Sequence, residues 1–350
     1  MRLMHPDALP ARPARKRFIS IRSGITSYGT DIEGLAAKKQ IKAFSNRNPS
    51  TDTTRSKNVT SINQPPSRLV TVGEVDQNPP TNLPTKSNTK KRKQDILYIC
   101  TLNTRTLRTS ESLLELEIAT KNIKWDILGI SEMRRLGEGI EERSNFIMYY
   151  KGEIAGQRGV GFLVKPRLKN QIIGFEGITD RLAVLHIKLP KYPKTWTIIQ
   201  VYSPTEQATK TDIDIFYYKL SEVVETYSEN NIVLMGDFNA QIGVQLPGEE
   251  YVIGKYGKGK RSKNGEKLVE FLLENNLTPL NTIFRKKPKN KWTWISPDGN
   301  TRNEIDYIIT NKARSFKDTN IIQNLNFNTN HRMVRSCLNE NVTKILDQNS

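Results

Sequence analysis

Residues 232–240 read Ile232-Val233-Leu234-Met235-Gly236-Asp237-Phe238-Asn239-Ala240, four apolar residues running into a glycine, a carboxylate and an amide. A short apolar run closed by a turn signal is the pattern of a strand buried on both faces. Gly236 at its carboxyl end permits a tight turn, so Asp237 and Asn239 can project from the sheet edge towards one point, where α/β proteins place their chemistry. A strand followed by an ordinary Asx turn has the same Gly-Asp-x-Asn spelling. Polar residues of matching type at other strand ends weight the reading towards a site.

Before this stretch, Ile96-Leu97-Tyr98-Ile99-Cys100-Thr101-Leu102-Asn103 is a strand that closes on a neutral amide. Thr109 or Ser110 offers an N-cap to a helix whose apolar stripe is Leu113, Leu114, Leu116 and Ile118. The strand over residues 126–130 is followed by Glu132, alone a solvated turn charge but a cation ligand beside a second acidic strand end. Further strands are expected over residues 159–164, 182–189 and 195–201, with His186 packed or edge-facing and Tyr202-Ser203-Pro204 following the third. Ile213, Phe216, Tyr217, Leu220, Val223, Val224 and Tyr227 recur at helical spacing, which makes these aromatics core rather than a base-stacking platform.

Beyond Ala240, residues 254–263 form a glycine- and lysine-rich stretch without P-loop spacing, read as a mobile basic loop. Asn264 is the expected cap of a helix carrying Leu268, Phe271 and Leu272, and residues 278–284 read as a strand. Then come Trp292-Thr293-Trp294, a Pro297-Asp298-Gly299 turn, and a strand over 303–309 that Asp306 interrupts. A carboxylate inside an apolar strand needs a partner. The segment Asn330-His331-Arg332-Met333-Val334 supplies a histidine just before the last strand. Repeated short strands with inserted helices and no internal repeat predict a two-sheet α/β sandwich.

The 350 residues carry a formal charge of +18, and only 36% are hydrophobic. Such a basic balance points to a polyanionic partner, nucleic acid first and an anionic membrane second. No apolar run has the roughly 18–20 residues of a spanning helix, and no secretory signal is present, so a membrane role has little support. Residues 1–95 lack periodicity and are rich in Pro, Ser, Thr, Asn, Lys and Arg, the composition of a disordered basic segment. They hold most of the positive excess. The tetrad Lys90-Lys91-Arg92-Lys93 resembles a nuclear localisation signal, a pattern that a solubilising linker also shows. The expected organisation is therefore a basic segment over 1–95, one domain over 96–338 and a tail over 339–350. Cys100 and Cys337 sit in apolar strand-like runs and read as reduced core thiols of an intracellular protein.

In order, Thr101-Leu102-Asn103, Ser131-Glu132, Tyr202-Ser203-Pro204, Gly236-Asp237-Phe238-Asn239, Ile305-Asp306-Tyr307 and Asn330-His331-Arg332 resemble the ordered motifs of the endonuclease/exonuclease/phosphatase superfamily. Six motifs in sequence are far more specific than any one of them. The wording is most similar to craniofacial development protein 2-like proteins and to the apurinic-type endonuclease domains of non-long-terminal-repeat retrotransposons. This resemblance implies a four-layered α/β sandwich and Mg²⁺-dependent hydrolysis of DNA phosphodiesters, with Mn²⁺ as an alternative ion and no small-molecule cofactor.

The resemblance also assigns roles. Glu132 holds Mg²⁺, Asn103 completes the polar rim on the metal side, and Asp237 orients or deprotonates the attacking water. Asn239 holds the nucleophile or phosphate, Tyr202 contacts a phosphate oxygen, and His331, positioned by Asp306, stabilises charge at phosphorus. Thr293, Trp294 and Arg302 are the candidate nucleic-acid contacts. Asn330 stands where relatives commonly carry a metal-side aspartate, so metal affinity and water activation are expected to weaken. A catalytically weakened nucleic-acid-binding or chromatin-associated module is therefore the alternative. Because the sequence ends soon after His331, the reverse transcriptase that follows such a domain in retrotransposons is not expected, and a stand-alone relative or a truncated element product is the expectation.

Overall fold

The computed structural model describes residues 96–339; the basic segment 1–95 with its lysine-rich tetrad, and residues 340–350, lie outside them. In chain order the first strands are β1 Ile96–Asn103, β2 Ile127–Ser131, β3 Gly137–Glu142, β4 Ile147–Gly152, β5 Val160–Val164, β6 Ile172–Thr179, β7 Leu182–Ile187 and β8 Trp196–Tyr202. They are followed by β9 Asn231–Asp237, β10 Thr278–Pro279, β11 Trp294–Ile295, β12 Arg302–Asn303, β13 Asp306–Thr310, β14 Phe316–Ile321 and β15 Val334–Asn339. The α-helices are α1 Ser110–Thr120, α2 Lys210–Thr226 and α3 Lys263–Asn275.

One sheet has the order β14-β15-β1-β2-β5-β4-β3 and the other β10-β13-β9-β8-β7-β6. Alternation along β9 builds the layers. Val233 and Met235 face the other sheet together with Ile99 and Ile308, whereas Ile232 and Leu234 face Phe216 and Leu220 of α2 and Leu268 and Leu272 of α3. On the far side of the first sheet, Cys100, Leu102 and Leu128 pack on Leu113 and Leu116 of α1. The result is the helix, sheet, sheet, helix order of a four-layered α/β sandwich.

Two parallel pairs decide where chemistry can gather. β1 runs parallel to β2 after the α1 crossover, and β8 runs parallel to β9 after the α2 crossover. Asn103 therefore lies beside Ser131, and Tyr202 beside Asp237, with Asp306 at the start of antiparallel β13 opposite Asp237.

Several sequence expectations change. Gly236 lies inside β9 rather than in a turn: its φ is +143°, and a Cβ there would meet the Val201 carbonyl oxygen at 2.1 Å. Close approach of β8 is what requires glycine. The expected α1 stripe splits, because Leu113 and Leu116 are buried while Leu114 and Ile118 are exposed; at 100° per residue the four cannot share one face. Ser262, not Asn264, caps α3, and Asn264 donates from Nδ2 to the carbonyls of Pro204 and Asn239. The strand expected over 278–284 is only β10 followed by a 3-10 turn over Leu280–Thr282. Within the basic loop, Arg261 is a half-buried fastener, paired through both terminal nitrogens with Glu249 and donating to the Ile242 carbonyl. The hairpin β3–β4 and strands β6 and β14, absent from the sequence reading, complete the sheets. Cys100 and Cys337 are free thiols on adjacent strands.

Candidate active site

Five strand ends deliver the polar residues to one rim between the sheets. Asn103, closing β1, donates from Nδ2 to Glu132 Oε1 at 2.8 Å and to Asp237 Oδ2 at 2.9 Å, joining the two sheets. Its Oδ1 accepts the Arg105 backbone N–H at 2.9 Å. Asn103 thus bridges the Glu132 and Asp237 carboxylates through its amide NH2. Asp237 Oδ1 accepts the Asn239 backbone N–H at 2.9 Å, forming the turn that sets Asn239 at the cleft. The Asn239 side chain donates to the Ser203 carbonyl at 2.9 Å.

His331 sits between two aspartates. Its Nδ1 is 3.0 Å from Asp306 Oδ2, and its Nε2 is 3.8 Å from Asp237 Oδ2. Burial by itself lowers the histidine pKa, but Asp306, then Asp237 and Glu132, outweigh it and raise the pKa to about 9. Burial, followed by the Asp306 charge, pushes Asp237 upward against the opposing pull of His331, Asn103 and the Asn239 N–H. For Glu132, burial is the largest influence and acts upward. Hydrogen bonds from Arg134, Asn103 and Tyr202 nevertheless hold this carboxylate below its ordinary range. Burial, with Glu132 and Asp237 nearby, raises the Tyr202 phenol far above its ordinary value, so it is a neutral donor.

A cleft of about 420 Å³ is lined by Glu132, Tyr202, Asp237, Asn239, Asn330 and His331, with Arg105, Arg134 and Trp294 also on its wall. Asp306 is fully buried behind His331. Among the described residues, six non-glycine residues have positive φ, and four of them, Arg105, Glu132, Arg134 and Asn239, line this cleft. Each such conformation costs on the order of 1–3 kcal/mol and persists only where its surroundings enforce it.

The candidate nucleic-acid contacts separate. Trp294 is on the cleft wall, and Arg302 is exposed on the paired strand β12, opposite Ile295. Thr293, by contrast, is fully buried, and its hydroxyl accepts the backbone N–H groups of Ile305 and Asp306 at 2.9 and 3.1 Å. A direct contact between that side chain and nucleic acid is closed off, and its hydroxyl instead fixes the start of β13. Asn330 lines the cleft, but its Nδ2 donates to the Ile295 carbonyl at 3.2 Å while its own carbonyl accepts the Ile295 N–H at 3.0 Å.

Other supporting residues had no sequence signal. Arg134 donates to Glu132 Oε2 at 2.8 Å. Thr329 donates from its hydroxyl to the Asn103 carbonyl and accepts the His331 N–H, tying the histidine to β1. Beneath the rim, buried Gln200 of β8 donates to Ser131 Oγ at 2.9 Å and Thr101 Oγ1 at 3.2 Å, a polar bridge between the sheets. Isolated serines, threonines and glutamines in strands announce no partner; only the packing of the sheets pairs them.

The residues suit a hard divalent cation in part. Asp237 and Asp306 flank the His331 imidazole, and Glu132, already paired with Arg134, is an oxygen donor open to the cleft. A cation at Glu132 would share that carboxylate with Arg134.

A four-layered sandwich whose rim brings together a glutamate, two aspartates and a histidine agrees with the resemblance to the endonuclease/exonuclease/phosphatase superfamily, and the known proteins that this chain is similar to point the same way. A family model described as endonuclease-reverse transcriptase matches residues 196–335. Craniofacial development protein 2 of Bos taurus is 36% identical over 192 residues, which are 54% of this chain and 32% of that protein. Its counterpart from Tragulus javanicus is 35% identical over 190 residues, 53% of this chain and 32% of the relative. The matched region thus spans about a third of the length of these curated relatives.

Three solved structures share the fold. The endonuclease domain of TRAS1, a telomere-specific non-LTR retrotransposon, superposes with a TM-score of 0.50 at 13% identity, covering 70% of this chain and 99% of that domain. A 3′ phosphatase from Neisseria, bound to a product DNA hairpin, gives 0.53 at 17% identity, covering 69% of this chain and 99% of that one. The AP endonuclease of Leishmania major gives 0.53 at 12% identity, with 70% and 88% covered. The fold is thus one used by hydrolytic nucleases and phosphatases.

Proposed function

We propose that the cleft hydrolyses phosphodiesters of DNA with the help of Mg²⁺ or Mn²⁺. The observation that carries this reading is the Asp237–His331–Asp306 alignment opposite Glu132. Burial makes Asp237 a stronger base than an exposed aspartate, suited to orient or deprotonate a water in line with a scissile phosphate. His331, kept cationic by Asp306 at neutral pH, donates to a non-bridging oxygen as charge accumulates there. The neutral Tyr202 phenol donates to another, and the Asn239 amide holds the nucleophile or the phosphate. Glu132 would hold the cation, with Asn330 contributing at most a neutral amide oxygen. When bound, such an ion supplies Lewis-acid polarisation of the phosphoryl oxygens.

DNA is the favoured substrate because of the +18 charge and because retrotransposon and AP endonucleases share the fold. The basic tetrad supports a nuclear location. A second reading, a weakened nucleic-acid-binding module, is favoured by the anchored amide of Asn330, which brings no charge to the metal side. A supercoiled-plasmid nicking assay with Mg²⁺, Mn²⁺ or EDTA separates the two. Metal-dependent nicking supports hydrolysis. Binding without nicking in either metal supports the second reading.

A further inference from the structure

The Arg302 guanidinium lies 5.2 Å from the centroid of the Trp292 indole, and that of Arg332 lies 3.1 Å from it. Neither forms an ion pair with a carboxylate among the described residues; Arg332 donates to Gln323 Oε1, and the Arg302 side chain has no hydrogen bond. An indole face offsets a cation by only about 0.5–1 kcal/mol at an exposed site. Two guanidiniums converging on one ring thus leave positive charge uncompensated. Burial first, and Arg302 second, lower the Arg332 pKa, in keeping with a missing counter-ion.

The position of this pair matters as much as its charge. A recess of about 130 Å³ is lined by Trp292, Ile295, Asn330, His331 and Arg332, among others, so it shares Asn330 and His331 with the cleft wall. Arg302 approaches the same ring from β12, whose next residue, Asn303, also lines the cleft. An indole already covered by Arg332 offers that face to no nucleobase. The forked N–H groups of the two arginines instead match phosphate oxygens, which would satisfy donors and charge together.

We propose that Arg302 and Arg332, splayed over Trp292, form a phosphate-binding clamp that holds the nucleic-acid backbone where it leaves the cleft past His331. The inference rests on the cleft being a nucleic-acid site. It adds a contact that the hydrolytic machinery does not contain.

The test is the salt dependence of binding of the full chain to a short DNA duplex, measured by fluorescence anisotropy in EDTA so that no cleavage intervenes. Removing one phosphate-neutralising side chain should flatten the slope of log K against log salt by about 0.9. Arg302→Gln/Arg332→Gln should flatten it by about 1–2 units and weaken binding about tenfold or more at low salt. Lys188→Gln/Lys194→Gln, at the opposite end of the sheet where β8 begins, is the control. A slope unchanged in the double variant, or changed no more than in the control, overturns the clamp. If the double variant melts early, Arg302→Gln decides alone, because that exposed side chain has no hydrogen bond to lose; an unchanged slope there overturns the proposal equally. A wild-type protein that cuts no DNA in any metal, while the variant shows the flattened slope, would sink the hydrolytic reading and leave the clamp standing.

Discussion

His331 Nδ1 faces Asp306 Oδ2 at 3.0 Å while its Nε2 faces Asp237 Oδ2 at 3.8 Å, so one imidazole separates two carboxylates that are register partners across β9 and β13. Without the ring's charge, two buried aspartates on adjacent strands would face each other. The positive form of His331 is therefore part of the fold as well as of the proposed chemistry.

This has a pH signature. The His331 pKa is raised from 6.5 in the unfolded chain to about 9, so its stabilisation is fully present below 6.5 and is lost as pH rises through 9. Urea unfolding in EDTA should show wild type losing about 1–3 kcal/mol relative to His331→Gln between pH 7 and 10. A flat difference across that window would mean that the ring is not held as imidazolium.

The same pair governs the proposed hydrolysis. Asp237→Asn and His331→Ala should each lower plasmid nicking by at least about a hundredfold with the circular dichroism spectrum unchanged. The rate should rise with pH as Asp237 loses its proton. A bound divalent cation should move that limb to lower pH, since positive charge favours the carboxylate. Near-wild-type nicking by either variant removes the assignment.

Asn330→Asp separates two effects that the sequence alone presented as one. A carboxylate loses the donor to the Ile295 carbonyl and sets two acceptors against each other, at a cost of about 1–2 kcal/mol. Turned to the cleft, it should tighten Mg²⁺ binding on the order of ten- to a hundredfold. Thermal melting should therefore fall in EDTA and recover with Mg²⁺, alongside faster nicking, whereas Asn330→Ala should show the fall without the recovery. Equal stability of wild type and Asn330→Asp in EDTA would show that the Ile295 hydrogen bond is not what holds the amide.

Gly129 tests the polar bridge beneath the rim. A Cβ at this position would lie 1.9 Å from Gln200 Oε1, so Gly129→Ala must break the hydrogen bonds of Gln200 with Thr101 and Ser131. Overpacking of this kind costs about 1–3 kcal/mol. Adding Gln200→Ala should recover part of that loss in a double-mutant cycle, and strict additivity of the two substitutions would argue against direct contact.

Much of this molecule was legible in its chain. The strand holding Asp237, the helix spacing of Phe216 to Tyr227, and the need of buried Asp306 for His331 follow from alternation, periodicity and the penalty for an unpaired buried charge, all local or type-specific rules. The sandwich itself followed from many short strands with few helices. What needed tertiary structure was every pairing between residues distant in sequence whose types carry no signal. Gly236 is glycine because β8 passes within 2.1 Å of its absent Cβ, Thr293 is buried with its hydroxyl meeting the N–H groups of Ile305 and Asp306 where β13 begins, and Asn103 is a bridging donor because Glu132 and Asp237 converge on its amide NH2. Asn330 likewise reads in the chain as a missing carboxylate, and in the fold as an amide engaged with Ile295. Hydrogen-bond direction and close backbone approach depend on where neighbouring strands lie, and that position is decided by the packing of two whole sheets rather than by any one segment.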